Sequence, residues 1–215
     1  MAMKKDHHRD EAYSLSTPAQ HRAYYDAWAK TYDDDFVAAD GYASPQRCAE
    51  IFAAIATTAD APIADLGCGT GLVGQHLRSL RVKGDLHGID ISQGMIDIAK
   101  ANGGYDDFHL ADITTPLTDN LGNYGGIISA GTFTLGHLGP EDLGNALSLA
   151  RQGGLILVSI NAVHFEEKGF GAYFEEWQNT GLITAPIFHE ISIYEDPDAV
   201  IAGSKMAYVA EFRLK

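Results

Sequence analysis

The stretch Pro62-Ile63-Ala64-Asp65-Leu66-Gly67-Cys68-Gly69-Thr70-Gly71 decides how the rest of this chain is read. Its apolar half, Pro62 to Leu66, is a short buried strand, and its glycine-rich half is a turn that opens a helix. Such a turn needs glycine because the backbone must take positive φ and let a ligand approach where a Cβ would stand. Leu86 to Asp90 is a second short strand, ending in a carboxylate about 20 residues past the glycines. A carboxylate accepts hydrogen bonds and donates none, so it suits a ribose diol.

Two registers compete for these glycines. Gly69-Thr70-Gly71-Leu72-Val73-Gly74 matches the G-x-G-x-x-G of nicotinamide and flavin enzymes. That register leaves Asp65 and Gly67 inside the strand, where an unpaired carboxylate and a glycine are both costly. Started at Gly67, the turn lets the strand end cleanly with Asp65 at its mouth. The acid followed by Leu-Gly-x-Gly-x-Gly then resembles the first motif of the class I S-adenosylmethionine-dependent methyltransferases. Gly88-Ile89-Asp90-Ile91-Ser92 with Met95 is similar to that family's second strand and helix start. Leu110-Ala111-Asp112-Ile113 is similar to its third strand end, and Gly153-Gly154-Leu155-Ile156-Leu157 to its fifth strand. Tyr25-Asp26-x-Trp28-Ala29-x-x-Tyr32-Asp33 resembles the N-terminal helix of its small-molecule branch. The whole chain looks most like the Williams–Beuren-region methyltransferase-like proteins.

The chain has 215 residues, 46% of them apolar and 20% charged, which is ordinary globular usage for one domain. A net charge of −14 would repel phosphate backbones, and no basic cluster longer than Lys4-Lys5 offsets it, so nucleic acid is a poor substrate. The two cysteines, Cys48 and Cys68, show neither metal spacing nor a disulfide framework. No apolar run approaches the ~20 residues of a membrane span, and no apolar signal segment follows the start. The expected setting is cytoplasmic, with no membrane partner, as a monomer or homodimer.

Residues 1–16 are polar and aperiodic and are expected to fray. A helical cap over 17–59 follows, with an amphipathic helix over 19–37 closed unfavourably for its dipole by Asp33-Asp34-Asp35, and a second helix over 45–58. Residues 60–161 alternate strands at 63–66, 86–90, 105–111, 126–130 and 155–160 with helices at 72–80, 95–101 and 141–151. This implies a cofactor-binding α/β core, a doubly wound, mostly parallel sheet with helices on both faces. Residues 162–215 supply a helix over 165–178 and two alternating segments, 186–193 and 206–214, that close as an antiparallel hairpin. The resemblance implies a Rossmann-like sheet of about seven strands, its C-terminal strand antiparallel, with an N-terminal helical lid.

What the resemblance implies for single residues is specific. Asp65 holds the ammonium group of S-adenosylmethionine, directly or through water. The Gly67, Cys68, Gly69, Gly71 and Leu72 turn wraps the cofactor, Asp90 takes the ribose hydroxyls, and Ile91 and Met95 pack on adenine. Asp112 accepts from the adenine amino group, with the Ile113 amide at the ring edge; the competing role for Asp112 is an Asx-turn ahead of Thr114-Thr115-Pro116. Ala130 and Gly131 lie beneath the sulfonium, and Trp28 and Tyr32 belong to a segment that folds over the cofactor. Candidate acceptor contacts are Tyr24, His137, His164, Tyr173 and Trp177, with His137 the one candidate base. Neither the Asn/Asp-Pro-Pro-aromatic signature of amino-methylating nucleic-acid enzymes nor a metal-binding aspartate–aspartate–asparagine set is present. The expected function is methyl transfer to a small-molecule acceptor, with no metal. The alternatives are a nicotinamide-dependent oxidoreductase and a non-catalytic S-adenosylmethionine-binding protein.

Overall fold

The computed structural model describes residues 11–115, 121–196 and 205–215. Seven strands form one sheet in the order β3-β2-β1-β4-β5-β7-β6. They are β1 Ile63–Leu66, β2 Leu86–Asp90, β3 Asp107–Leu110, β4 Tyr124–Phe133, β5 Ala150–Asn161, β6 Ile187–Ser192 and β7 Met206–Arg213. β1 pairs in parallel with both β2 and β4, β2 with β3, and β4 with β5; β7 runs antiparallel to β5 and β6. Every residue of β1 is buried, as expected of a parallel strand covered on both faces. Strand order reverses between β1 and β4, which places the ligand crevice at their carboxyl ends.

Helices α1 Pro18–Trp28, α2 Ser44–Ile55, α3 Leu72–Ser79, α4 Gln93–Asn102, α5 Pro140–Leu147, α6 Ala162–Glu167 and α7 Phe170–Asn179 surround this sheet. One face buries Leu143 and Leu147 of α5 and Phe170 and Phe174 of α7 against Ile127 and Ile156. The other buries Cys48, Ala49 and Phe52 of α2 and Val73 and Leu77 of α3 against Ile128 and Leu157. Among the described residues no helix is long and apolar enough to cross a membrane.

Helix α1 begins where Thr17 caps it: the Thr17 hydroxyl accepts from the Gln20 amide, the Gln20 side chain returns to the Thr17 amide, and Pro18 fills the first turn. The expected helix over 19–37 is broken in two. Residues 29–31 turn, and Asp33–Ala38 forms a separate π-helical segment. Asp33, Asp34 and Asp35 therefore open a helix, where its dipole favours acids, and do not close one. The expected helix over 165–178 is likewise split, because Gly169 takes φ +68° between α6 and α7.

Residues 1–10 of the expected frayed segment lie outside the described residues. Residues 11–16 are folded: 11–13 make a helical turn, and Ala12 is 3% exposed. The helix expected to reach Arg151 ends at Leu147, and Arg151 belongs to β5.

Candidate active site

The turn after β1 starts at Gly67, which takes φ +68°, and a Cβ there would run into the Thr132 side chain. At Gly69, also left-handed at φ +53°, a Cβ would meet nothing within 4 Å, so the backbone faces open space. Strand β1 has ended at Leu66, and Gly74 lies within α3, its amide donating to the Tyr105 hydroxyl at 2.9 Å. The dinucleotide register that starts at Gly69 does not describe this turn.

Around the turn lies a cleft of about 300 Å³. It gathers Gly67, Cys68, Gly69 and Leu72 from the first loop, Asp90, Ile91 and Met95 from the end of β2 and the start of α4, and Asp112 and Ile113 from beyond β3. Ala130 and Gly131 close it at β4, where the pairing with β5 slips between Ser129 and Phe133 as a bulge. The Ser129 and Thr132 hydroxyls donate to the Leu66 carbonyl at 2.8 and 2.9 Å, tying this bulge to the end of β1. Tyr32 and His137 complete the set of expected residues that reach the cleft.

Asp90 locks the loops that surround it. Its Oδ2 accepts from the Gly69 amide at 2.8 Å and its Oδ1 from the Ser92 amide at 2.8 Å. Burial pushes its carboxyl above the usual range, against the opposing pull of the Ser92 and Gly69 amides. The neighbouring Ser92 hydroxyl caps α4 through the Met95 amide and donates to Asp26 Oδ1 of α1 at 2.6 Å. Asp26 Oδ1 also accepts from the Gly94 amide at 2.9 Å, so α1 is pinned to the start of α4. Asp112 Oδ1 accepts from the Thr114 amide at 3.0 Å and the Thr114 hydroxyl at 2.7 Å, the Asx-turn that competes with an adenine contact. Pro116 lies outside the described residues.

Asp65 sits behind the cleft wall and not at its mouth. It is fully buried; Oδ2 accepts from the Tyr105 hydroxyl at 2.6 Å, and Oδ1 has no hydrogen-bond partner. Burial raises its carboxyl to about 7; the Tyr105 hydrogen bond acts the other way, and the Asp90 charge adds to the rise. Gly71 caps α3 in the left-handed conformation and packs on Ala99 and Tyr105 without lining the cleft.

Other expected contacts are elsewhere. Trp28 faces a second, smaller cavity, and Tyr24 lines neither. His164 is 1% exposed, with Nε2 at 2.8 Å from the Leu138 carbonyl, so it anchors the loop that carries His137. Tyr173 donates to Glu141 at 2.6 Å at the surface, and Trp177 packs on the core cluster under α7. Both belong to the α5–α7 face and do not line the cleft.

Residues not singled out as ligands enter the site. His21 and Tyr25 of α1 line the cleft together with Thr17 and Tyr42. His21 and Tyr25 are one helical turn apart and share a face; that spacing is visible in the sequence, but their approach to His137 is not. The Tyr25 hydroxyl lies 2.8 Å from His137 Nε2, and the His21 and His137 ring centres are 4.6 Å apart.

Residues 63–154 match a family model described as a methyltransferase domain. Over 151 residues the chain is 32% identical to methyltransferase-like protein 27 of Homo sapiens. That match takes in 69% of this chain, and the chain spans about 60% of the length of that relative. The fold is similar to that of a TehB-like SAM-dependent methyltransferase from Corynebacterium glutamicum, at 22% identity and TM-score 0.59, over 90% of this chain and 99% of that one. It is also similar to the magnesium protoporphyrin IX methyltransferase from Synechocystis PCC 6803 with bound SAM, at 18% identity and TM-score 0.61, over 94% and 99% of the two chains. A glycine turn that starts at Gly67, this sheet order and the domain match agree: residues 63–154 form a methyltransferase domain, and the chain is similar in fold and sequence to the S-adenosylmethionine-dependent methyltransferases.

Proposed function

We propose that this chain moves the methyl group of S-adenosylmethionine onto a small-molecule acceptor by in-line displacement. The observation that carries this reading is the convergence of the Gly67–Gly69 turn, Asp90, Asp112 and Gly131 on one cleft at the carboxyl ends of β1, β2 and β4. The residues present fit the cofactor: the open space over Gly69 is a cradle that a side chain would fill, and the Asp90 carboxylate faces the cleft with its oxygens oriented by the Gly69 and Ser92 amides. A carboxylate oxygen accepts more than one hydrogen bond, so Asp90 can take a diol while holding the loops. Ile91 and Met95 then cover one face of adenine, and the Ile113 amide meets its edge. When bound, the cofactor supplies an already activated methyl group. The protein's work is to hold acceptor and methyl group in line and to exclude water, and such positioning is worth about 7–11 kcal/mol.

The acceptor is a small molecule and not a nucleic acid. The chain carries a net charge of −14, and among the described residues that line the cleft there is no lysine or arginine to meet a phosphate. Both cysteines are free and buried, which fits a reducing, cytoplasmic setting.

S-adenosylhomocysteine at about 100 times its dissociation constant is expected to stabilise the fold by about 2.7 kcal/mol, or about 5–10 °C in melting temperature for a chain of this size. Nicotinamide dinucleotides are expected to give no comparable shift in the same thermal melt. A shift with the dinucleotide and none with the nucleoside would overturn the proposal.

A further inference from the structure

Behind the cofactor cleft is a second cavity of about 70 Å³ that shares Tyr25, Tyr32, Tyr42, Gly131 and His137 with it. The rest of its wall is mainly aromatic and apolar, with Tyr13, Trp28, Phe36 and Tyr194 prominent. Among the described residues lining it there is no aspartate, glutamate, lysine or arginine. Set against the ~30 Å³ that one water occupies in the liquid, this volume takes the reacting edge of a planar molecule and leaves the remainder in the larger cleft.

At the wall between the cavities Tyr25 and His137 form a directed pair. His137 Nδ1 lies 2.9 Å from the Leu135 carbonyl, which only accepts, so Nδ1 carries the ring proton. Nε2 is then the acceptor, and the Tyr25 hydroxyl, 2.8 Å away, donates to it. The lone pairs of the Tyr25 oxygen remain able to receive a further hydrogen bond.

We propose that this pair receives the proton of a hydroxyl acceptor, and that the acceptor is an uncharged planar hydroxyl compound of the phenol class. The inference rests on the methyl-transfer reading above. The acceptor oxygen bonds to the methyl carbon as the carbon–sulfur bond breaks, and that bonding pair leaves with sulfur. The acceptor's proton passes to the Tyr25 oxygen while the Tyr25 proton passes to His137 Nε2. The imidazolium so formed gives its proton to water as product leaves.

A carboxylate acceptor would find no cation in the second cavity, and an ammonium would find no carboxylate there. Burial holds His137 at about 4, and the groups facing it, His21, His164, Tyr13 and Tyr25, supply no negative charge that would make it a stronger base. Such an imidazole does not ionise a phenol, whose pKa is about 10, before reaction. It does suffice as the forming bond to carbon makes the hydroxyl proton strongly acidic, so proton transfer accompanies methyl transfer late in the same transition state.

The binding test titrates 4-nitrophenol, held below its own pKa, into protein saturated with S-adenosylhomocysteine, with 4-nitrobenzoate and 4-nitrobenzylamine as charged controls. Saturable binding of the neutral phenol is expected, with its absorption band unshifted toward the phenolate, and neither control should saturate. Tyr25→Phe should weaken phenol binding about tenfold, the equivalent of about 1.4 kcal/mol, with phenol titrated into protein whose saturation by the nucleoside calorimetry has verified for the variant. With methyl-labelled S-adenosylmethionine and phenol, label should appear in the ether, and His137→Gln should slow this about 10²-fold or more. Thermal melts identify a variant that fails to fold, and the conservative Tyr25→Phe then carries the test. Preference for a charged control, or wild-type phenol binding in Tyr25→Phe, overturns the inference. If the nucleoside binds and the phenol does not, the methyl-transfer reading stands and only this inference falls. If neither binds, both fall.

Discussion

Asp90→Ala is expected to weaken S-adenosylhomocysteine binding by about 10²–10⁴-fold. Two ribose hydroxyls would lose a charged acceptor, at about 1.5–3 kcal/mol for each hydrogen bond. The fold is expected to suffer as well, because the same carboxylate satisfies the Gly69 and Ser92 amides. Each buried amide left without a partner costs about 1–3 kcal/mol. Calorimetric titration well below the melting temperature separates the two effects. Wild-type affinity in a protein that melts earlier would reduce Asp90 to a loop lock and move the diol elsewhere.

The second large effect is a dependence on pH. Asp65 has a folded-state pKa raised to about 7 by burial. A carboxyl whose pKa is higher folded than unfolded binds protons more tightly in the folded state. Its stabilising contribution is therefore complete below about 4, the ordinary aspartate value, and is lost as pH rises through about 7. At 1.36 kcal/mol for each unit of pKa, the loss is on the order of 2–4 kcal/mol. Asp65→Asn has no proton to lose and keeps an acceptor for the Tyr105 hydroxyl. Urea unfolding at several pH values between 4 and 8 should show the wild type losing stability relative to Asp65→Asn by that amount. Parallel profiles would mean that the carboxyl is charged throughout, held by a partner other than Tyr105.

The sheet was legible because its signals are local. Short, largely apolar segments that end at Gly67 or Asp90 mark buried parallel strands, and one glycine register fits the end of β1. The closing antiparallel strands were visible as alternating residues at 186–193 and 206–214, and the strands run over 187–192 and 206–213. The breaks were not. The aromatic periodicity from Tyr24 to Tyr32 runs through the turn at 29–31 because the same side chains pack edge to face across it: Trp28 and Tyr32 ring centres are 4.8 Å apart. Asp65 looked like a ligand because it precedes the glycines, yet its environment is set by Tyr105, a residue of a different loop. Tyr25 and His137 are far apart in sequence and meet only because His164 ties down the loop carrying one while Asp26 pins the helix carrying the other.

A cleft walled by Asp90, Asp112 and Asp142, in a chain of net charge −14, sets up a field that favours cations. Under the proposed function, a sulfonium entering it would be attracted, and the neutral thioether that remains after the methyl group has gone would not. The difference would bias exchange toward turnover, since spent nucleoside would depart without the electrostatic hold that drew in its precursor. Added salt screens that hold over a Debye length of about 8 Å at physiological ionic strength, so the preference for charged over spent nucleoside should narrow as salt rises.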